Sequence, residues 1–225
     1  MPKQLWSKIV TAVCVVGLGL AMLYGLPAGA DLLDSKSQGK TEDPAKKDSG
    51  NGEATNRVQD PIAMDESLTD KQRQQLRKVR AATEKYQNYQ TALADGYHKP
   101  DPWVCYESEK GAMGYHHLMT SRVDNEFDIT KPELMIYMPN KKGTLELVAV
   151  EYMQPDADQD LGTDEDRPSL FGGVEFDGPM EGHEPGMPRH YDLHVWIYKH
   201  NPNGVFNQWN PAHSCPRDAD IVGMK

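Results

Sequence analysis

The chain has 225 residues, with 24 Lys and Arg against 34 Asp and Glu, for a formal charge of −10. So acidic a surface argues against nucleic acid as a partner and suits solubility and cation binding. No nucleophile elbow, phosphate-binding glycine loop, dinucleotide fingerprint or paired acid/base carboxylate motif occurs, so the sequence does not assign a reaction.

In chain order, Met1 to Lys8 is short and basic, Ile9 to Leu26 is uncharged and apolar, and Pro27-Ala28-Gly29-Ala30 follows. This is the layout of a signal peptide over 1–30 cleaved after Ala30; a retained N-terminal anchor is the alternative, because the apolar run is just long enough to span a bilayer. Either way the remainder lies outside the cytoplasm, secreted or periplasmic, and touches membrane only through this segment if it is uncleaved. Loss of Lys3 and Lys8 would deepen the charge from −10 to −12. Residues 31–66 are rich in Ser, Gly, Lys, Asp and Glu without apolar periodicity, and read as a disordered tether. That leaves residues 67–225 as one folded domain of about 160 residues.

A helix is expected over 69–95, capped by Ser67 or Thr69, with Val79, Ala82, Tyr86, Tyr89 and Leu93 on one stripe and Leu76 at its edge. Its basic face, from Lys71 to Lys85, reads as solvated rather than as a membrane surface. From Asp101 onward short strands alternate with turns, at 103–107, 111–119, 134–138, 144–153, 171–176 and 189–198. The expected fold is mainly β (α+β): an N-terminal helix packed on a compact antiparallel β-sandwich or small barrel.

After signal removal two cysteines remain, Cys105 and Cys215, and their oxidising compartment favours a disulfide. Soft-metal ligation is the competing reading, but the flanks lack paired ligand spacing. Asp156, Asp158 and Asp160 have the Asp-x-Asp-x-Asp spacing of calcium loops, yet Leu161 and Arg167 fall where an EF-hand needs Gly and Glu. A solvated acidic loop is the simpler reading.

The richest stretch is Arg189-His190-Tyr191-Asp192-Leu193-His194-Val195-Trp196-Ile197-Tyr198. Strand alternation puts Tyr191, Leu193, Val195 and Ile197 on one face and His190, Asp192, His194, Trp196 and Tyr198 on the other, which has the composition of a pocket wall. Glu151 is the second anomaly, a carboxylate in a row with Leu147, Ala149 and Met153, where it needs a partner, a proton or a cation. Arg189 or Lys199 could pair with it across strands. His116 and His117 lie in a Gly-rich strand, with only one able to face a given site. One transition metal ion (copper, zinc, iron or manganese) held by His116, Glu151 and His194, with His117 or His190 as fourth ligand and Asp192 orienting a histidine, accounts for these residues together. Seven methionines between 113 and 187 raise copper among the candidates, although methionine is also ordinary core filler.

The blocks Gly111-Ala112-Met113-Gly114-Tyr115-His116, Leu147-Val148-Ala149-Val150-Glu151-Tyr152, Tyr191-Asp192-Leu193-His194-Val195-Trp196 and Asn201-Pro202-Asn203-Gly204-Val205-Phe206, with Trp209-Asn210-Pro211 and Ser214-Cys215 beyond, resemble those of a group of secreted bacterial proteins of unassigned function. The resemblance covers about residues 80–216. It implies an exported single domain and no chemistry; His116, Glu151 and His194 fall within its blocks, while His117 and His190 look particular to this chain. Three function classes follow: a secreted metal-binding protein that could act as an oxidoreductase, a module binding a small organic molecule in a His/Trp/Tyr-lined pocket, or a structural envelope protein.

Overall fold

The structure is a computed structural model that describes residues 60–99, 101–183, 186–217 and 220–223, with only the backbone of the last four. The signal or anchor segment and the tether through residue 59 lie outside the described residues.

The last part of the segment read as tether is folded. Helix α1 spans Pro61–Met64, with Asp60 as its cap and proline in its first turn, and it buries Ile62 completely. Helix α2 spans Asp70–Thr83 and opens with a reciprocal Thr69–Gln72 capping box. The helix expected to run on to 95 breaks after Thr83 into a 3-10 turn, Glu84–Gln87, and then α3, Tyr89–Asp95. Asn88 causes the restart: its backbone is extended and its side chain accepts from Gln90 N, at 3.0 Å, as a new cap.

Among the described residues nine strands follow: β1 Val104–Ser108, β2 Gly111–Leu118, β3 Leu134–Pro139, β4 Leu145–Pro155, β5 Ser169–Leu170, β6 Val174–Glu175, β7 Asp177–Met180, β8 His190–Val195 and β9 Asp220–Gly223. β5 and β6 form a small separate hairpin, and the others form one sheet in the order β7-β8-β4-β3-β2-β1-β9. The fold is therefore mainly β. Its six strands from β7 to β1 are antiparallel and curl into a half-barrel, with β9 added in parallel beside β1. A sandwich needs two facing sheets and a barrel needs joined edges; here β7 and β9 end a single open sheet.

The two faces of the sheet do different work. Tyr137, Val150, Tyr152, Leu193 and Val195 join Ile62, Leu76, Val79, Tyr86 and Ala92 of the helices in the main core. Burying side chains of this size stabilises by about 1.5–3 kcal/mol each before entropy is counted. Alternation sends His190, Asp192, His194, Glu151 and His116 to the opposite face. Cys105 and Cys215 are bonded, closing a span of 110 residues with their Cα atoms 5.9 Å apart.

Candidate metal centre

β8 pairs with β4 so that His194 stands directly across from Glu151, and Leu134 of β3 lies on the other side of Glu151. His116 comes from β2, one strand further on, opposite Ile136. Three strands remote in sequence thus deliver three donors to one point. His116 Nε2 lies 3.1 Å and His194 Nε2 3.5 Å from Glu151 Oε2, and the two nitrogens are 3.2 Å apart. Among the described residues, these alone bring three ligand-type donor atoms within 4.8 Å of one another. Glu151 and His194 are buried; His116 is partly exposed.

Burial opposes ionisation of Glu151, but the His194 and His116 imidazoles outweigh it and hold the carboxyl at about 2. At His194 burial opposes the charged ring, while Glu151 and then Asp192 push its pKa up to about 9. The metal-free centre is thus an ion pair, in which a cation, if bound, would take the place of the proton. Asp192 Oδ1 sits 3.6 Å from His194 Nδ1, on the side of the ring away from Glu151, where a carboxylate fixes the orientation of a metal-ligating histidine.

The other expected participants separate. His117 points to the helix face: Tyr89 Oη lies 3.1 Å from its Nε2, its Nδ1 meets the Tyr115 carbonyl at 3.2 Å, and burial lowers its pKa to about 4. It is a core residue, because neighbours on a strand face opposite ways. His190 shares the His194 face, two alternation steps away. Trp196 is buried with its Nε1 donating to Asn207 O at 2.8 Å, and its ring stacks on His213. Tyr198 lies on the helix side, bonded to Thr83 and to Arg80 O. Alternation fails for it because β8 ends at Val195, after which Trp196 N bonds the Val205 carbonyl. Arg189 and Lys199 pair with Glu181 and Glu146, so neither neutralises Glu151. In the acidic loop, Asp158 and Asp160 accept from Asp160 N, Thr163 Oγ1 and Gly162 N, as turn-forming residues do.

A cavity of about 260 Å³ opens onto His116 and Glu151, bordered by Tyr106, Leu118, Leu134, His183 and Met187, with exposed His98 and Lys99 at its edge. His183 was not among the expected residues. It sits in a Gly/Pro loop after β7, and its one sequence signal was a histidine flanked by Gly182 just upstream of the histidine-bearing strand. Its ring packs against Tyr106 and His190, and burial lowers its pKa to about 4, with His190 and His116 adding to the effect.

No known protein family, curated protein or solved structure matches the chain.

Proposed function

We propose that the domain is an exported transition-metal-binding protein in which His116, Glu151 and His194 are the ligands and the cavity above them admits water or a small substrate. The observation that carries the reading is the gathering of three donor atoms within 4.8 Å, two of the residues buried, on a sheet face that also carries Leu134, Ile136 and Ala149. A carboxylate and two imidazoles with an open side suit zinc, iron, manganese or copper and leave positions for hydrolytic or redox chemistry. Met187 at the cavity and Met153 on the same face keep copper in the comparison. The disulfide and the basic-apolar N-terminal stretch support an extracytoplasmic location. Among the described residues no helix is long and apolar enough to cross a membrane.

The test is the metal content of tag-free protein, stripped with chelator and reloaded with each metal in turn. Wild type should retain at least one equivalent of the preferred ion after gel filtration, and His194→Ala should lose affinity at least tenfold. Unchanged loading in His194→Ala would overturn the reading. A second reading, a pocket for a small organic molecule, draws on Tyr106, Lys99 and the apolar Leu118 and Leu134 around the cavity; it is favoured if no metal is retained while a small-molecule panel shifts the melting temperature.

A further inference from the structure

The cavity above the centre has two unlike ends. Its volume of about 260 Å³ holds about nine groups the size of a water molecule, at ~30 Å³ each, so it suits a small molecule and not a polymer. Tyr106, Leu118, Leu134 and Met187 give it largely apolar walls. His116 and Glu151 close the inner end. Glu151 is already matched there by the imidazoles of His116 and His194, so the floor offers no unpaired carboxylate to attract a cationic ligand.

The mouth is built by the segment after α3. Gly96 ends that helix with a left-handed backbone, φ +106°, and His98 N then donates to Leu118 O at 2.9 Å. The chain is thereby laid beside the end of β2, which sets Lys99 at the cavity edge. The Lys99 ammonium lies 4.2 Å from the centre of the Trp103 ring, and that ring packs on Tyr115 at 4.4 Å. No carboxylate among the described residues pairs with Lys99. An ammonium held on an indole has already given up rotamer freedom, so an arriving anion meets a cation that costs less to order. Among the described residues that border the cavity, Lys99 is the one permanent cation and Asp101 the one exposed carboxylate. Asp101 opposes an anion, but no partner among the described residues fixes its side chain, which can turn to solvent. A lone ammonium with no Arg beside it suits a monoanion better than a phosphate, which calls for more donors.

We propose that the cavity takes a small carboxylic acid with an apolar body of about six or seven carbons, its carboxylate on Lys99 at the mouth and its far end over His116 and Glu151. What the far end meets rests on the metal-centre reading: an ion held there has open positions for a donor atom of the substrate. The neutral analogue of such an acid keeps the apolar walls and loses the ion pair, and an amine of the same shape meets Lys99 with like charge.

The probes are benzoate, benzamide and benzylamine, titrated at neutral pH into chelator-stripped and zinc-loaded full-length protein, with binding read by ligand-observed NMR. Wild type should bind benzoate about tenfold more tightly than benzamide, and benzylamine more weakly than either. Lys99→Met changes an exposed side chain and should bring benzoate down to the affinity of benzamide, which itself stays that of wild type. Asp101→Asn should tighten benzoate binding. A benzoate preference that survives Lys99→Met puts the carboxylate elsewhere and overturns the acid site, with or without zinc. Equal binding of the three probes, or none, overturns it as well. Zinc retention, and its loss in His194→Ala, reports on the metal centre separately: if no zinc is retained yet the preference follows Lys99, the acid site stands and the metal centre falls.

Discussion

Glu151 is 3 % exposed in its side chain and abuts Leu134, and it is tolerated there because His194 and His116 lie on it. Removing one partner of such a buried pair strands the other, so metal-free Glu151→Ala should lose about 3 kcal/mol of unfolding free energy. Urea denaturation in chelator measures this, and a loss below about 0.5 kcal/mol, the level of an exposed ion pair, would contradict it. Glu133 is another buried carboxylate, outside the centre. Burial raises its pKa from 4.5 to about 8, Asp124 adds to this, and the Met153 amide and Arg122 do not compensate. Tyr97 and Tyr152, also near it, stay neutral. Because the folded state keeps a proton that the unfolded chain has released, Glu133 contributes stability fully below pH 4.5 and loses it as pH rises through about 8. The unfolding free energy of wild type should therefore fall relative to Glu133→Gln between pH 5 and 9; parallel curves would refute the assignment. At this scale sequence alone exposed Glu151, since alternation set a charge in an apolar row, and it exposed His194 by the same rule. It did not expose His183, whose loop has no period; it named His116 as a ligand but kept His117 as a possible fourth, which strand phase turns to the other face.

Elements with a strict period and a plain turn are legible: β3 and β4 form the expected hairpin, closed through Asn140, whose side chain accepts from Lys142 N and Thr144 N. β7 is not, because Gly178 and Pro179 read as loop; it forms at the sheet edge, where a missing N–H costs no ladder bond. The break at Asn88 is equally hard to foresee, since one side-chain cap overrides an apolar stripe that continues across it. β2 carries the clearest element-level prediction. Gly114 adopts φ +110° beside the register shift with β1, and a Cβ there would approach Met138 Sδ and the Tyr137 carbonyl to 2.9 Å. Gly114→Ala combines left-handed strain with overpacking, for a loss of about 2–4 kcal/mol. It should also shift His116, two residues on, and weaken metal binding. Melting together with metal titration checks both, and a variant with unchanged stability would show that β2 does not need the bend.

At the scale of the whole molecule, a mainly β fold and the Cys105–Cys215 bond follow from composition, turn spacing and cysteine count, whereas the open, curled sheet does not. Whether β7 meets another strand or ends the sheet depends on long-range curvature, for which no local pattern codes. The chain after β8 is short of regular structure: Asn210 exchanges backbone bonds with Ala112, Asn201 Nδ2 donates to Trp209 O, and β9 returns to flank β1. Few contacts of that kind would hold so long a return alone, and the disulfide fastens it where Cys105 lies in β1, at the opposite end of the sheet from β8. Closing a span of 110 residues removes unfolded-state entropy worth about 4–5 kcal/mol in the chain-entropy model. The Cys105→Ser/Cys215→Ser protein should therefore unfold at lower denaturant, with a loss of that order, while its metal content at equal folded fraction stays that of wild type, because β2, β4 and β8 pair independently of the bond. Thiol titration of unfolded, unreduced wild type should find no thiol from Cys105 or Cys215. Two reactive thiols, or a double variant as stable as wild type, would mean that the C-terminal return is held by its hydrogen bonds and by β9 instead.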